Sequence, residues 1–223
     1  IYRLPERESI VKVPSHCMSC GAQLRWFDLI PLFSWLFLRG RCRRCKAEIS
    51  VQYPIIEGLN GFLWVFVFLV NGMNVMSVVY CLMTSALLVL SVIDWRTFEI
   101  PFGINVFLGI LGIVAVVLDK GEWLNHVIGA VCVSGFLLLL YLLSKGRAIG
   151  GGDIKLMSVS GLLIGGASMI CAMCIGIITG GAYVTLMLVR KRLNKTDQFA
   201  FGPFLAFGLA TAIFLGDKMA VWY

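Results

Sequence analysis

Residues 58–93 read GLNGFLWVFVFLVNGMNVMSVVYCLMTSALLVLSVI, 36 consecutive residues without a charge between Glu57 and Asp94. An α-helix rises about 1.5 Å per residue, so roughly 20 apolar residues cross a hydrocarbon core. The run is long enough for two crossings, and the polar turn Asn71-Gly72-Met73-Asn74 divides it. Further uncharged runs cover 100–118, 123–144, 156–189 and 198–216. Splitting 156–189 at Gly165-Gly166 predicts seven helices, near 55–70, 75–94, 102–118, 124–143, 154–165, 167–189 and 200–216. The fifth is short for a span, which predicts a tilted, re-entrant or protein-buried helix.

Composition agrees with that pattern. Of 223 residues, 59% are hydrophobic and 14% charged, and the mean hydropathy is +0.90. A soluble domain carries about 25% charged residues. An ordinary soluble enzyme, a disordered chain and a fibrous repeat are thereby excluded. Eight cysteines are too few for a secreted disulfide scaffold. The expected fold is an all-α polytopic membrane protein with about seven helices in this chain and a small cytoplasmic zinc-ribbon-like domain. Residues 1–53 form the cysteine-containing part and 54–223 the multi-pass part.

Charge sets the expected orientation. Residues 1–50, 95–101, 144–155 and 190–198 alternate with the other connections and hold 17 Lys and Arg, against Lys120 and Lys218 on the opposite side. The positive-inside rule puts the richer side in the cytoplasm. Anionic membrane lipids account for the net charge of +7, with no nucleic-acid partner required. Trp95, Trp123 and Trp222 fall at predicted span ends, as in an aromatic belt. The opening Ile1-Tyr2-Arg3-Leu4-Pro5 reads as the end of a longer helix.

Cys17-x-x-Cys20 and Cys42-x-x-Cys45 are two pairs with a 21-residue spacer. Four thiolates at such spacing predict a tetrahedral Zn2+ site, and a closed four-cysteine site is structural. Arg39, Arg41, Arg43, Arg44 and Lys46 flank the second pair and are expected to favour its thiolates. Two disulfides or four reduced thiols are the alternatives; a cytoplasmic location argues against disulfides. Cys81, Cys132, Cys171 and Cys174 lie in predicted spans, where cysteine packs as a small hydrophobe. His16, beside the first knuckle, and His126, near a membrane interface, are read as incidental.

An ionisable residue at a membrane span is expensive, and so marks function. Asp94 closes the helix containing Leu87-Leu88-Val89-Leu90-Ser91-Val92-Ile93, and Asp153 follows Gly150-Gly151-Gly152. Two predicted spans separate them, so both fall on the same side. Two carboxyls meeting in a low-dielectric setting share a proton. One can then activate water while the other, protonated, polarises a carbonyl. Glycines before Asp153 let a substrate backbone approach closely. Two unrelated interfacial charges, paired with Arg96 or Lys155, are the alternative.

Ser91-Val92-Ile93-Asp94, then Ile100-Pro101, then Gly150-Gly151-Gly152-Asp153-Ile154-Lys155-Leu156 together resemble the type IV prepilin peptidase family of GxGD-type membrane aspartic proteases. Ile30-Pro31-Leu32-Phe33-Ser34-Trp35, Leu38-Arg39-Gly40-Arg41-Cys42 and Tyr53-Pro54-Ile55-Ile56-Glu57 resemble that family's cytoplasmic domain. Phe201-Gly202-Pro203-Phe204-Leu205 is similar to a motif near its C-terminus. The opening five residues are similar to the end of the family's first helix, which the resemblance implies is missing here. One departure is Phe102 after Ile100-Pro101, where the family usually has Asp.

The resemblance implies that Asp94 and Asp153 cut a short basic leader, after Gly, from type IV prepilin or pseudopilin substrates at the cytoplasmic face of the bacterial inner membrane. Gly150, Gly151, Gly152 and Lys155 would form the active-site loop. Many members also methylate the new N-terminus with S-adenosylmethionine, and Gly40 and Glu57 are the candidate positions for that activity. A turn glycine and a solvated interfacial carboxylate are the alternative roles for those two. Competing functions are another GxGD intramembrane protease, a small proton- or cation-coupled transporter, and a membrane scaffold without catalysis. The cysteine domain and Tyr53-Pro54 disfavour the first, and the lack of an internal repeat disfavours the transporter.

Overall fold

The computed structural model describes residues 14–146, 149–192 and 199–220, with side chains as far as residue 215. The opening pentapeptide and Trp222 lie outside the described residues. A 3-10 turn (Trp26–Leu29) and α1 (Phe33–Phe37) precede seven longer helices: α2 (Gln52–Asn71), α3 (Val75–Thr97), α4 (Phe102–Leu118), α5 (Trp123–Leu143), α6 (Gly151–Ile164), α7 (Gly166–Val189) and α8 (Gly202–Ala220). The seven expected helices are all present, and the class is all-α. Four of them, α2, α3, α5 (with its leading 3-10 turn) and α7, are long and apolar enough to cross a membrane. Helices α4 and α8 are apolar but shorter.

The chain forms two compact units, with the boundary between Phe66 and Val67, inside α2. In the first unit the two cysteine pairs build two equivalent knuckles. Isolated antiparallel bridges join His16 to Gln23 and Arg41 to Glu48. Within each knuckle the first cysteine's N–H donates to an alanine carbonyl, Cys17 to Ala22 at 2.9 Å and Cys42 to Ala47 at 2.8 Å. Gly21 and Lys46, at matching positions, take left-handed conformations with φ of 67° and 61°. From within the second knuckle, Arg43 Nε donates to Asp28 Oδ1 at 2.9 Å. The 3-10 turn that carries Asp28 is tied to the second pair in this way.

In the second unit α3 runs through the middle, with half of its most apolar stretch buried. It packs against α4 and α8; α6 packs against α4 and α5; α7 packs against α5 and α8. Met83, Leu87, Leu90 and Ile93 of α3, Leu108 of α4, Leu156 and Leu163 of α6, and Leu205 and Leu209 of α8 are fully buried. Small residues set the closest approaches. A Cβ on Gly129 of α5 would lie 2.5 Å from the Gly161 carbonyl oxygen of α6, and one on Gly176 of α7 would lie 3.2 Å from a Leu205 methyl of α8. Large apolar side chains of α4 and α5, such as Ile110, Ile113, Val131 and Leu139, remain exposed, as lipid-facing surfaces are.

Helix α6 has 14 residues, about 21 Å, too short for a core of about 30 Å. It ends at Gly165, whose φ is 82°. The break is stitched by Asn125, whose Oδ1 accepts the Gly166 N–H at 3.0 Å. His126, the next residue, is buried. Its Nδ1 lies 2.9 Å from the Leu162 carbonyl oxygen and its Nε2 lies 3.7 Å from Asp119 Oδ2. The partner that the sequence did not reveal is therefore the α6 backbone, with the Asp119 carboxylate nearby.

Candidate active site

Asp94 lies in the last turn of α3 and is buried. Helix α3 stops three residues later because Phe98 turns left-handed, with φ of 55°, and its N–H caps the Asp94 carbonyl at 2.8 Å. The carboxylate has a fixed partner: Gly202 N–H, at the start of α8, donates to Asp94 Oδ2 at 2.9 Å. The next residue, Pro203, has no N–H, so α8 offers this one donor at its opening, where the helix dipole also favours an anion. A Cβ on Gly202 would lie 2.7 Å from that oxygen; only glycine allows the approach. Trp95, Tyr183 and Phe204 pack edge-on or tilted around this end with centroid separations of 5.2–6.4 Å, joining α3, α7 and α8.

Asp153 is the third residue of α6, whose N-cap is Gly150. Its side chain folds back to accept the Gly150 N–H, half of a capping box. A Cβ on Gly150 would come within 3.2 Å of Asp153 Oδ2, and one on Gly152 within 3.2 Å of Ile100. The two aspartates thus share one device: a carboxylate held by a glycine N–H at a helix start.

Both line one cavity of about 350 Å³, together with Gly150, Gly151, Gly152 and Lys155. Every residue that the sequence placed in the active-site loop is in that lining. Phe98, Glu99, Ile100, Phe102 and Asn105 complete it. Glu99 is an exposed acid at the cavity. Lys155 Nζ stands 6.0 Å from the Phe102 ring centroid, so Phe102, the departure from the family pattern, faces the loop lysine. Asn105 carried no signal beyond being an amide in an apolar run.

In the cysteine unit the four Sγ atoms lie within 4.8 Å of one another, and Cys17 Sγ is 3.8 Å from Cys45 Sγ. A tetrahedral zinc with Zn–S bonds of about 2.3 Å places its sulfurs about 3.8 Å apart. A disulfide needs about 2.05 Å, so the spacing fits a metal. The backbone prepares the thiolates. N–H groups of Cys20 and Ser19 lower the Cys17 thiol to about 6, and those of Cys45 and Arg44 lower Cys42. Cys45 is held up at about 11: the Ala47 N–H favours its thiolate, but desolvation and the neighbouring sulfurs outweigh it. Knuckle amides, rather than the flanking Arg and Lys side chains, tune this cluster.

Glu57 Oε2 accepts the Leu32 N–H at 3.0 Å, where Leu32 has φ of 62°. Gly40 is covered by Trp35, since a Cβ there would lie 2.8 Å from the indole. Trp35 Nε1 in turn donates to the Ile49 carbonyl at 3.2 Å.

Comparison with known proteins agrees with both units. Residues 1–71 match the bacterial peptidase A24 N-terminal domain and residues 81–185 match the type IV leader peptidase family. A prepilin leader peptidase/N-methyltransferase of Burkholderia pseudomallei is 32% identical over 96% of this chain and 71% of its own length. One from Bacillus subtilis is 29% identical over 99% of this chain and 89% of its own length. A third, from Pectobacterium carotovorum, is 34% identical over 87% and 72%. No solved structure matches the chain. The chain belongs to the type IV leader peptidase family, and it is a peptidase by that membership.

Proposed function

We propose that this chain cuts the basic leader from type IV prepilin or pseudopilin precursors with Asp94 and Asp153, at the cytoplasmic face of the bacterial inner membrane. The observation that supports this best is the shared cavity, in which two carboxylates from α3 and α6 are each fixed by a glycine N–H. One carboxylate takes a proton from water as the water attacks the scissile carbonyl carbon. The other, protonated, donates to the carbonyl oxygen. The tetrahedral intermediate then collapses with the proton passing to the leaving amine. The glycines at 150–152 admit the substrate backbone, and Glu99, the exposed acid in the cavity lining, attracts a basic leader.

The sulfur spacing supports Zn2+ held by Cys17, Cys20, Cys42 and Cys45 as the cross-link of the N-terminal domain, residues 1–53, ahead of the membrane domain 54–223. For N-methylation, S-adenosylmethionine would supply the methyl group. Glu57 fits a role near it, being exposed with one carboxylate oxygen held by the Leu32 N–H and able to accept a proton from the amine. Gly40 would contribute by seating Trp35 against the backbone that leads into the second knuckle.

The test is to incubate purified protein with a peptide that carries a basic leader ending in Gly, followed by Phe and an apolar helix. S-adenosylmethionine is added or withheld, and the product N-terminus is read by mass spectrometry. Cleavage after Gly, with a methyl group added only when the donor is present, is expected. An intact peptide would overturn the assignment.

A further inference from the structure

Helix α4 turns one stripe inward, made of Ile104, Asn105, Leu108, Leu111, Gly112 and Ala115. Such a stripe is apolar wherever packing alone decides it, and Asn105 is its single polar member. The side chain is only 5% exposed, and its Oδ1 has no hydrogen-bond partner among the described residues. A buried acceptor left without a donor is destabilising. A leucine at this position would fill a similar volume without that penalty. The amide also lines the cavity that holds Asp94 and Asp153. The other polar side chains of that lining are carboxylates and one lysine, so the cavity is rich in acceptors. The donor that every peptide brings, whatever its side chains, is a backbone N–H.

We infer that Asn105 is a substrate-binding residue whose Oδ1 accepts a backbone N–H of the peptide beside the scissile bond. That acceptor is buried and has no hydrogen-bond partner among the described residues of the free protein, so a peptide N–H would be its first. The inference rests on the peptidase reading above. It adds a recognition element that ignores side-chain identity and fixes the register of the peptide against the two aspartates. Interactions made equally in ground and transition states change KM and leave kcat alone, so the expected signature is a split between the two.

The experiment uses the full chain and the Gly-Phe peptide described above. Asn105→Leu and Asn105→Ala should each raise KM about tenfold, the value of one hydrogen bond, with kcat within about twofold. Asn105→Leu should melt no lower than wild type, whereas a structural asparagine would make it melt lower. A second arm changes the peptide and is read first in the wild type. Peptide bonds on either side of the scissile one are replaced singly by esters, which removes one N–H at a time. Wild type should show a tenfold rise in KM for one ester, and Asn105→Leu should show no further rise for that same ester. KM within twofold of wild type in both variants, or no ester-sensitive position in the wild type, overturns the inference. If the wild type leaves the parent peptide uncut, the peptidase reading fails and this inference falls with it. If it cuts the parent normally while variants and esters are neutral, only the role of Asn105 fails.

Discussion

The two compact units are held together by different physics. In residues 14–66 only Gly40 and Cys42 are buried, and Trp26, Phe33, Leu36 and Phe37 stand exposed. That unit has almost no apolar interior, and its order comes from knuckle hydrogen bonds around four sulfurs. From Val67 onward, by contrast, whole side chains such as Met83, Leu87, Leu90 and Leu156 are sealed between helices. A fold without a core must be closed by something other than packing, and a metal contributes folding energy outright. The contrast teaches that one polypeptide can carry a part with a packed core and a part whose four converging cysteines stand where a core would be. Chemistry divides along the same line, with carboxylates in the packed unit and the cysteines in the other.

The sharpest way to test this division is to remove the carboxylates. Asp94→Ala and Asp153→Ala should each lower cleavage by at least about 10³-fold, because a proton-sharing pair needs both members. The protein should remain folded and inserted, as measured by its melting and elution. Asp153→Ala should still methylate a peptide supplied already cut. Loss of methylation in a folded Asp153→Ala protein would merge the two chemistries into one site.

Metal removal attacks the other unit. Purified protein should carry one zinc per chain by elemental analysis. Chelation, or the double change Cys42→Ser with Cys45→Ser, should strip it. Amide exchange should then rise strongly across residues 14–50 and stay unchanged in α3, α6 and α8. Protection lost equally from the bundle would show that its core is not self-sufficient.

Gly202→Ala probes the packed unit more gently. Its new Cβ would press on Asp94 Oδ2 at 2.7 Å, so the carboxylate or the start of α8 must move. A 1 Å displacement at a catalytic group is expensive, and cleavage should fall about tenfold to a hundredfold with a smaller change in melting. Unchanged cleavage would mean that the Gly202 N–H has no part in aiming Asp94.

The same contrast explains what the sequence disclosed. Helix positions in the packed unit were legible because charges bracket the uncharged runs: Asp94 and Arg96 close α3, and Asp119 closes α4. The start of α6 was expected at 154 but lies at Gly151. Glycine is a poor helix former, and Asp153 in the first turn, bonded back to Gly150, rescues the opening. The grip of Gly202 on Asp94 spans 108 positions; the motif around Gly202 was visible, but nothing local named its partner. Asn105 and Asn125 were equally silent, since an amide in an apolar run looks the same whether it faces lipid, a glycine break or a cavity. In the cysteine unit the CxxC spacing announced four converging sulfurs. It did not announce that amides of the knuckles, rather than Arg43 and its neighbours, would favour the thiolates; Arg43 is occupied by Asp28.

The smallest effect tests whether the two knuckles are one design used twice. Gly21 and Lys46 share a left-handed conformation, and a Cβ on Gly21 would meet nothing within 4 Å. Backbone preference is then the main difference between these sites. A left-handed non-glycine residue costs about 1–2 kcal/mol, while glycine gives back roughly 0.5–1 kcal/mol through greater freedom in the unfolded chain. Lys46→Gly should therefore stabilise the unit by about 0.5 kcal/mol, and Gly21→Ala should destabilise it by a similar amount. With zinc bound by this unit as proposed, the two changes should appear in opposite directions in zinc affinity, each about twofold. Competition against a chelator of known affinity reads both, with exchange in α3 as the internal reference that should not move. Shifts of the same sign in the two variants would show that the knuckles are not equivalent, and that the lysine serves its own position in a way glycine cannot.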